Sequence, residues 1–431
     1  MSVSDARRRR QDERERNYRR RGGMQTNKNT VQSNIIYIQE YDTVLFATVL
    51  ILVLFGLVMI LSSSYYVSLT SANFDNNIFH FFAKQAQATI IGFLALIIAA
   101  VVPYHVVCKF APFMYIAACG CLAYVAKYGK VINGAKRWME IGPLNFQPSE
   151  FAKVSVVLLL SLYLGSEKWG PIKFGTLQQR VNSPIGLFVC AVIVLIPAAL
   201  VRWGGNTSTL IIICVIAAGM IFVTSPHFAP WVILGGGAVT AFMVYLQFFS
   251  KDFHAGRYAA HLDPFSDPTG YGYQIIQGLY AVASGGLFGL GLGNSNQKLI
   301  FMPEPHNDFI FAVICEELGF FGALIVLILF GIFIWRGIRI ALKAVDIMGM
   351  LIATGTTILI AMQVIINVAV VTNTIVNTGI PMPFISYGGT SVVFILALTG
   401  VMLNVSRYTP QRREEERRAE ENKEKTIKTR G

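Results

Sequence analysis

Charged side chains are scarce in this chain, only 14% of 431 residues against 54% hydrophobic, and the apolar residues fall in long recurring runs. That excludes a soluble globular fold and indicates a polytopic membrane protein. Internal repeats of 20–50 residues are lacking, as is any symmetry between halves, which excludes a solenoid and argues against a transporter built from inverted repeats. Cysteine is sparse and unpatterned. The six residues at 108, 119, 121, 190, 214 and 315 lie within or beside apolar runs, and Cys119 and Cys121 have no partner pair. Zinc binding and redox chemistry are therefore not indicated. The extreme N-terminus is not a cleavable signal peptide, because the first apolar run begins about forty residues in and many more follow.

The charge that is present gathers at the ends. Residues 1–40 carry ten Lys/Arg and residues 407–431 carry nine, so the tails hold 19 of the 36 basic residues. Aromatic interleaving is nearly absent there, so a nucleic-acid arm is not expected; the tails read as solvated charge on an anionic leaflet. Successive apolar segments lie at about 43–62, 86–104, 107–127, 151–166, 184–202, 209–224, 228–249, 309–335, 349–372 and 384–405. The expected fold class is an all-α polytopic membrane protein of ten transmembrane helices. An even number of spans puts both termini on one side, and the positive-inside rule makes that side cytoplasmic. The expected organisation is a largely disordered basic tail at 1–42, a membrane domain at 43–405 and a charged tail at 406–431. The long outer loop at 250–307, between spans 7 and 8, contains GYGYQIIQGLYAVASGGLFGLGLG, which suits a re-entrant or interfacial helix.

Four stretches could carry chemistry. PEPHNDFIFAVICEELG places His306 and Asp308 ahead of the eighth span, with Asn307 as a candidate N-cap and Asp308 in the first helical turn, where the dipole favours its ionised form. Glu316 and Glu317 fall about 12–13 Å further along the helix on diverging faces, and read as packing partners rather than part of one site. GAKRWMEIGPLNFQPSEFAK supplies Arg137, Trp138, Gln147, Glu150 and Lys153. Arg suits a phosphate through its planar fork of donors, Trp suits a headgroup layer or sugar face, and Glu150 and Lys153 can pair on one helix face. PFISYGGTS supplies Ser386, Tyr387, Gly388, Gly389 and Ser391, where glycines admit a close approach by another helix or an anion. The outer loop adds Lys298 in GNSNQK.

Together, and in this order, these stretches resemble the SEDS family (shape, elongation, division and sporulation) over roughly residues 45–408. DPFSDPTGYGYQIIQ and the ending LNVSRY are most similar to its division and sporulation branch in Gram-positive bacteria, rather than the elongation branch. The resemblance implies peptidoglycan glycosyltransferase activity: polymerisation of lipid II into β-1,4-linked glycan during septal wall synthesis, at the cell membrane. It implies Asp308 as the essential acid, Trp138 as a functional aromatic, and the remaining residues above as cavity lining. The α-pyrophosphate donor and β product call for one inverting displacement, with Asp308 as base and Arg137, Lys153 and Lys298 stabilising the leaving group. No cofactor is required by this scheme, although a divalent cation (Mg or Mn) could share the charge; no protein-held metal is expected. Expected partners are lipid II, a class B penicillin-binding protein acting as transpeptidase and other division proteins, since no transpeptidase-like domain is seen in the chain. RWGGNTST at 202–209 departs from the family's QPDLGT-like segment, so no acid's role transfers there. A lipid II flippase and a non-catalytic division scaffold are the competing readings.

Overall fold

The computed structural model describes residues 37–38, 41–70, 77–132, 135–141, 144–165, 184–225, 252–300 and 302–409. Tyr37–Ile38 (β1) pairs antiparallel with a strand at Tyr408–Thr409, in a unit separate from Gln39–Arg407. The predicted span at 228–249 and the tails at 1–36 and 410–431 lie outside the described residues.

The larger unit is a helix bundle. Its long helices are Thr43–Thr70 (α1), His80–Val101 (α2), Ala111–Tyr128 (α4, after the short α3 at Tyr104–Lys109), Pro148–Gly165 (α5), Pro184–Trp203 (α6) and Thr207–Thr224 (α7). The outer loop folds as Asp252–Leu262 (α8), Tyr273–Ser284 (α9) and Gln297–Ile300 (α10), and leads into Ile310–Lys343 (α11), Ile347–Val371 (α12) and Gly389–Ser406 (α13). Among the described residues, eight helices are long and apolar enough to cross a membrane. Their outward faces carry large apolar side chains, Ile90 at 70% exposed on α2 and Phe188 at 68% on α6 among them, a surface that lipid satisfies and water does not. The protein is thus an all-α multi-pass membrane protein.

Small residues set the closest helix pair. A Cβ on Gly400 of α13 would come within 2.3 Å of the Leu96 carbonyl on α2, and one on Gly92 within 2.7 Å of Leu396. Without a hydrophobic drive between helices in lipid, this backbone approach is what packing has to work with. At one end of the bundle, polar ties fasten the helices together. Arg336 of α11 pairs with Asp42 ahead of α1, and Asp346 accepts from Tyr104 Oη at 2.9 Å and meets His105 at 2.7 Å.

At the opposite end the chain departs from expectation in two places. Residues 130–146, between the third and fourth expected spans, form a small antiparallel meander of Lys130–Ile132 (β2), Ala135–Ile141 (β3) and Leu144–Phe146 (β4). The other departure is a break in α11 at Gly319, whose φ of 67° and ψ of −168° are not helical. The glycine-rich loop after α9 fits into the break. Leu290 and Gly291 N–H groups donate to the carbonyls of Glu316 and Glu317, each at 2.9 Å, while Phe320 N–H donates to Gly286 at 2.9 Å. The loop thereby satisfies groups that a broken helix leaves open. Only glycine serves here: a Cβ on Gly319 would sit 2.3 Å from Gly289 N, and one on Gly289 would sit 2.2 Å from the Glu317 carbonyl oxygen. The stretch expected to be re-entrant or interfacial folds as α9 and its loop, docked against a discontinuous helix.

Candidate active site

Asp308 lies in the turn that enters α11, two residues before its first helical residue rather than in its first turn. Phe309 occupies the N-cap position without a side-chain cap, and Asn307 instead donates to Glu304 at 2.8 Å. Two contacts fix this turn. Phe309 is fully buried, its ring where a Cβ on Gly278 of α9 would lie 2.6 Å away. Asn367, buried in α12, donates from Nδ2 to the backbone carbonyls of Asp308 and Ile380, both at 2.8 Å.

The Asp308 carboxyl is half-buried and faces Gly379, where a Cβ would lie 3.5 Å from Oδ2. Burial pushes its pKa up to about 6, with exposed Glu304 adding in the same direction; its own backbone N–H, Arg257 and Arg137 pull the other way. The low pKa expected of an acid at a helix start is corrected, although the acid stays ionised at neutral pH: desolvation outweighs the dipole once Asp308 stands outside the helix.

Arg137, on β3, lies near enough to this acid to favour its charged form. Its Nη2 donates to the Gly205 carbonyl at 3.4 Å, and the neighbouring Lys136 N–H donates to Gly204 at 3.0 Å. The RWGGNTST segment thus acts as a backbone shelf for β3, and Asn206 caps α7 by accepting from Thr209 N at 3.2 Å. Trp138, opposite Lys130 in the ladder, is half-buried. Successive strand residues point to opposite faces, so Arg137 and Trp138 address different surroundings.

Arg257 of α8, which sequence reasoning missed, approaches Asp308 from the long loop. Its Nη1 donates to the Asn377 carbonyl at 3.3 Å, and Asn377 in turn donates to Gln274 at 3.0 Å. Burial lowers the pKa of Arg257 and the field of Asp308 raises it; burial and then Arg257 lower that of Arg137. Five stretches remote in sequence therefore meet at one mouth: β3, the turn at 204–206, α8, the turn at 302–309 and the segment at 377–379.

The other expected residues divide. His306 is buried against Phe81, ring centroids 4.3 Å apart, and its carbonyl accepts from Tyr387 N–H at 2.9 Å. Burial lowers its pKa to about 4, so the ring is neutral, and Nδ1 has no hydrogen-bond partner among the described residues. Ser386 Oγ accepts from Met382 N–H at 2.8 Å, shaping the turn that presents Tyr387. Gly388 N–H donates to Gln85 at 3.1 Å, and Gly389 packs 3.2 Å from the Ala88 Cβ as judged by an added Cβ, a helix-packing role. Gln147 is half-buried just ahead of α5, and its carbonyl accepts from Glu150 N–H at 3.1 Å.

Glu150 and Lys153 form the expected pair, 2.8 Å apart and almost wholly buried, with Ser391 donating to Glu150 at 2.9 Å. Lys298 is a correction. It is 3% exposed and its ammonium lies 2.5 Å from Glu317 Oε1 and 2.9 Å from Ser62 Oγ, so its charge is already answered and it does not line the mouth. Glu316 accepts from Ser295 Oγ at 2.5 Å and from Asn296 N–H at 2.8 Å, anchoring the start of α10. Both glutamates are structural, as their diverging faces suggested.

Asn367 also went unnoticed in the sequence, although a lone amide within an apolar span was a usable signal. Replacing it with Leu should leave two buried carbonyls without donors, costing about 1–3 kcal/mol each. The expected result is a lower thermal midpoint in detergent, together with reduced activity because the Asp308 turn loses its tether.

A bundle of apolar helices with a charged mouth at one end defines a multi-pass membrane protein whose polar chemistry lies at a membrane face. Residues 42–411 match the family described as FtsW/RodA/SpoVE cell cycle proteins, and the chain belongs to that family. Stage V sporulation protein E of Bacillus subtilis (strain 168) is 38% identical over 374 residues, covering 85% of this chain and 97% of that protein. The probable peptidoglycan glycosyltransferase FtsW of Geobacter sp. (strain M18) is 34% identical over 371 residues, covering 86% and 97%. A chain solved in work on the structural coordination of polymerization and crosslinking by a peptidoglycan synthase complex shares 28% identity. It aligns with a TM-score of 0.67 over 85% of this chain and 98% of its own. The rod shape determining protein RodA of Thermus thermophilus, 23% identical with a TM-score of 0.60 over 85% and 97%, shares the fold.

Proposed function

We propose that this chain is a peptidoglycan glycosyltransferase that polymerises lipid II into β-1,4-linked glycan during septal wall synthesis. The observation that carries the reading is Asp308: a half-buried carboxylate held at the mouth, with two guanidinium groups beside it, in a chain similar to proteins named for this activity. In the proposed reaction Asp308 takes the proton from the 4-hydroxyl of the acceptor sugar. The oxygen attacks the donor's anomeric carbon, the bond to pyrophosphate breaks, and the electron pair leaves with the lipid pyrophosphate, inverting that centre. A pKa near 6 makes Asp308 a stronger base than an ordinary carboxylate while leaving it ionised at neutral pH.

Among the described residues no three His, Cys, Asp or Glu side chains gather as a metal cage. A divalent cation that takes part would accompany the pyrophosphate. Arg137 supplies positive charge from the protein; Lys153 is committed to Glu150. Trp138, Gln147 and Tyr387 are proposed to line the path of the disaccharide.

Ten spans are proposed, with both termini cytoplasmic and the mouth outside. A single-span class B penicillin-binding protein is the proposed transpeptidase partner at the septum, with other division proteins engaging the charged tails.

The test is lipid II supplied to the purified protein, with glycan strands read by gel. Recovery of unchanged lipid II, merely moved across the bilayer, would favour a flippase instead. The rate should also depend on pH with a definite sign. A base works only when ionised, so kcat/KM should fall as pH drops through about 6 and level off above it. A profile flat from pH 5 to 8 would oppose Asp308 as that base.

A further inference from the structure

The end of the bundle away from the mouth carries a second charged surface, on the last turns of α11, that glycosyl transfer does not use. From Leu324 to Ile328 the outward face of this helix is apolar, with Leu324, Ile325 and Ile328 exposed. At Trp335 its character changes. Trp335, Arg339 and Lys343 are all exposed and follow one another at i, i+4 and i+8, with exposed Ile338 and Leu342 between them. At 100° per residue these five side chains share a face about 140° wide. Arg339 stands about 30 Å along the helix from the break at Gly319, the thickness of a hydrocarbon core, and Lys343 about 6 Å further. Apolar side chains thus give way to a tryptophan and cations where a span of this length leaves the acyl chains.

The Arg339 guanidinium is stacked on Trp335, its Cζ 4.1 Å from the ring centre. Stacking uses the face of the group and none of its five N–H donors, which stay in its plane. No acid pairs with Arg339 or Lys343 among the described residues. Arg336 makes the contrast. Its Cζ lies 5.6 Å from the same ring, but it is half-buried and bonded to Asp42 through Nε and Nη2. Asp346, another acid at this end, is taken up by Tyr104, His105 and the Gly349 N–H. One arginine here ties two helices; the other presents its fork to the surroundings. The helix dipole accounts for a cation in the last turn at Lys343, but it does not call for an aromatic platform two turns earlier.

From this arrangement we propose that Trp335, Arg339 and Lys343 form a binding site for the headgroup of an anionic phospholipid, with Ile338 and Leu342 against its acyl chains. The orientation proposed above, with the mouth outside, makes this the cytoplasmic leaflet. The site goes beyond the glycosyl-transfer reading and does not depend on it. A phosphodiester carries one negative charge and two unesterified oxygens, which a guanidinium fork bonds in parallel. Lysine adds a point charge one turn further out, and the indole seats itself at headgroup level.

The test offers the full-length chain, purified in detergent, phosphatidylglycerol and phosphatidylcholine with the same acyl chains, and counts bound lipid by native mass spectrometry. Phosphatidylglycerol should be retained in preference and should raise the thermal midpoint. Arg339→Gln with Lys343→Gln should weaken its binding about 25-fold, two charges at about fivefold each. Trp335→Leu should weaken it about threefold, because Arg339 loses its platform. These side chains are exposed, so melting without added lipid should be native. Lys109→Gln, which removes an exposed cation from α3 at the same end, should leave binding unchanged. An equal loss in Lys109→Gln would mean diffuse charge rather than a site and would overturn the proposal. So would equal retention of the two lipids, or native phosphatidylglycerol binding in the double variant. Excess inorganic phosphate should not displace the lipid, since it brings no acyl chain; displacement would show a free-anion site instead. Failure of the native chain to polymerise lipid II while it still selected phosphatidylglycerol would sink the glycosyltransferase reading and leave the lipid site standing.

Discussion

Asp308→Asn is expected to lower lipid II polymerisation by at least about 100-fold, the contribution usual for a positioned base. Asparagine keeps the shape and the turn, because the tether from Asn367 goes to the backbone carbonyl of residue 308, not to the side chain. Folding should therefore be intact, and the thermal midpoint should hold or rise once a half-buried ionisable group is gone. The same substitution should remove the acid-side limb of the pH profile, leaving whatever residual rate survives insensitive to pH near 6. Glycan made at the native rate would exclude Asp308 as the base. Loss of rate with loss of the folded peak on size exclusion would show a structural effect, and Asp308→Glu would then separate base strength from packing.

Glu317→Leu is expected to cost about 3–5 kcal/mol, the usual penalty for leaving one member of a buried ion pair alone. Buried Lys298 would keep Ser62 Oγ at 2.9 Å but no acid to answer its charge. The pair ties α10 to α11, and Ser62 of α1 bonds to both members, so its loss should free α10 and make the loop sensitive to protease. The double change Glu317→Leu with Lys298→Met should regain most of the stability, since a buried pair replaced by apolar volume is often neutral or better. Melting in detergent and limited proteolysis read both outcomes. A single variant as stable as the native chain would mean that water reaches the pair.

The spans were legible because lipid imposes long apolar runs, and every apolar segment within the described residues became a helix. The three acids of the 308–317 stretch were separable by helical geometry alone. Lys298 was not: its partner lies nineteen residues away across a loop, and sequence offers no way to tell a lysine awaiting a phosphate from one already paired. Arg257 was hidden for a different reason. It stands in FHAGRYAAHL, a polar helix with no apolar framing, and its meaning comes only from Arg137 and Asp308 arriving beside it. The meander at 130–146 was masked by charges and glycines that read as loop. The break at Gly319 was masked by its setting, since ELGFFGALIV is a sound helical sequence until a second backbone strip is laid against it.

That break has a consequence for how the enzyme meets bilayers of different thickness. From Gly319 to Lys343 the helix runs about 36 Å, enough to cross a hydrocarbon core alone, and the nine residues above it add about 13 Å. In an unbroken rod, tilt forced by a thinner membrane would swing Asp308 sideways through the full length of the helix. With the upper piece fastened to the loop and α12, and the lower piece meeting it at a glycine, mismatch is absorbed below the joint. The reacting groups keep their height above the lipid, whatever the chain length of the acyl tails beneath them.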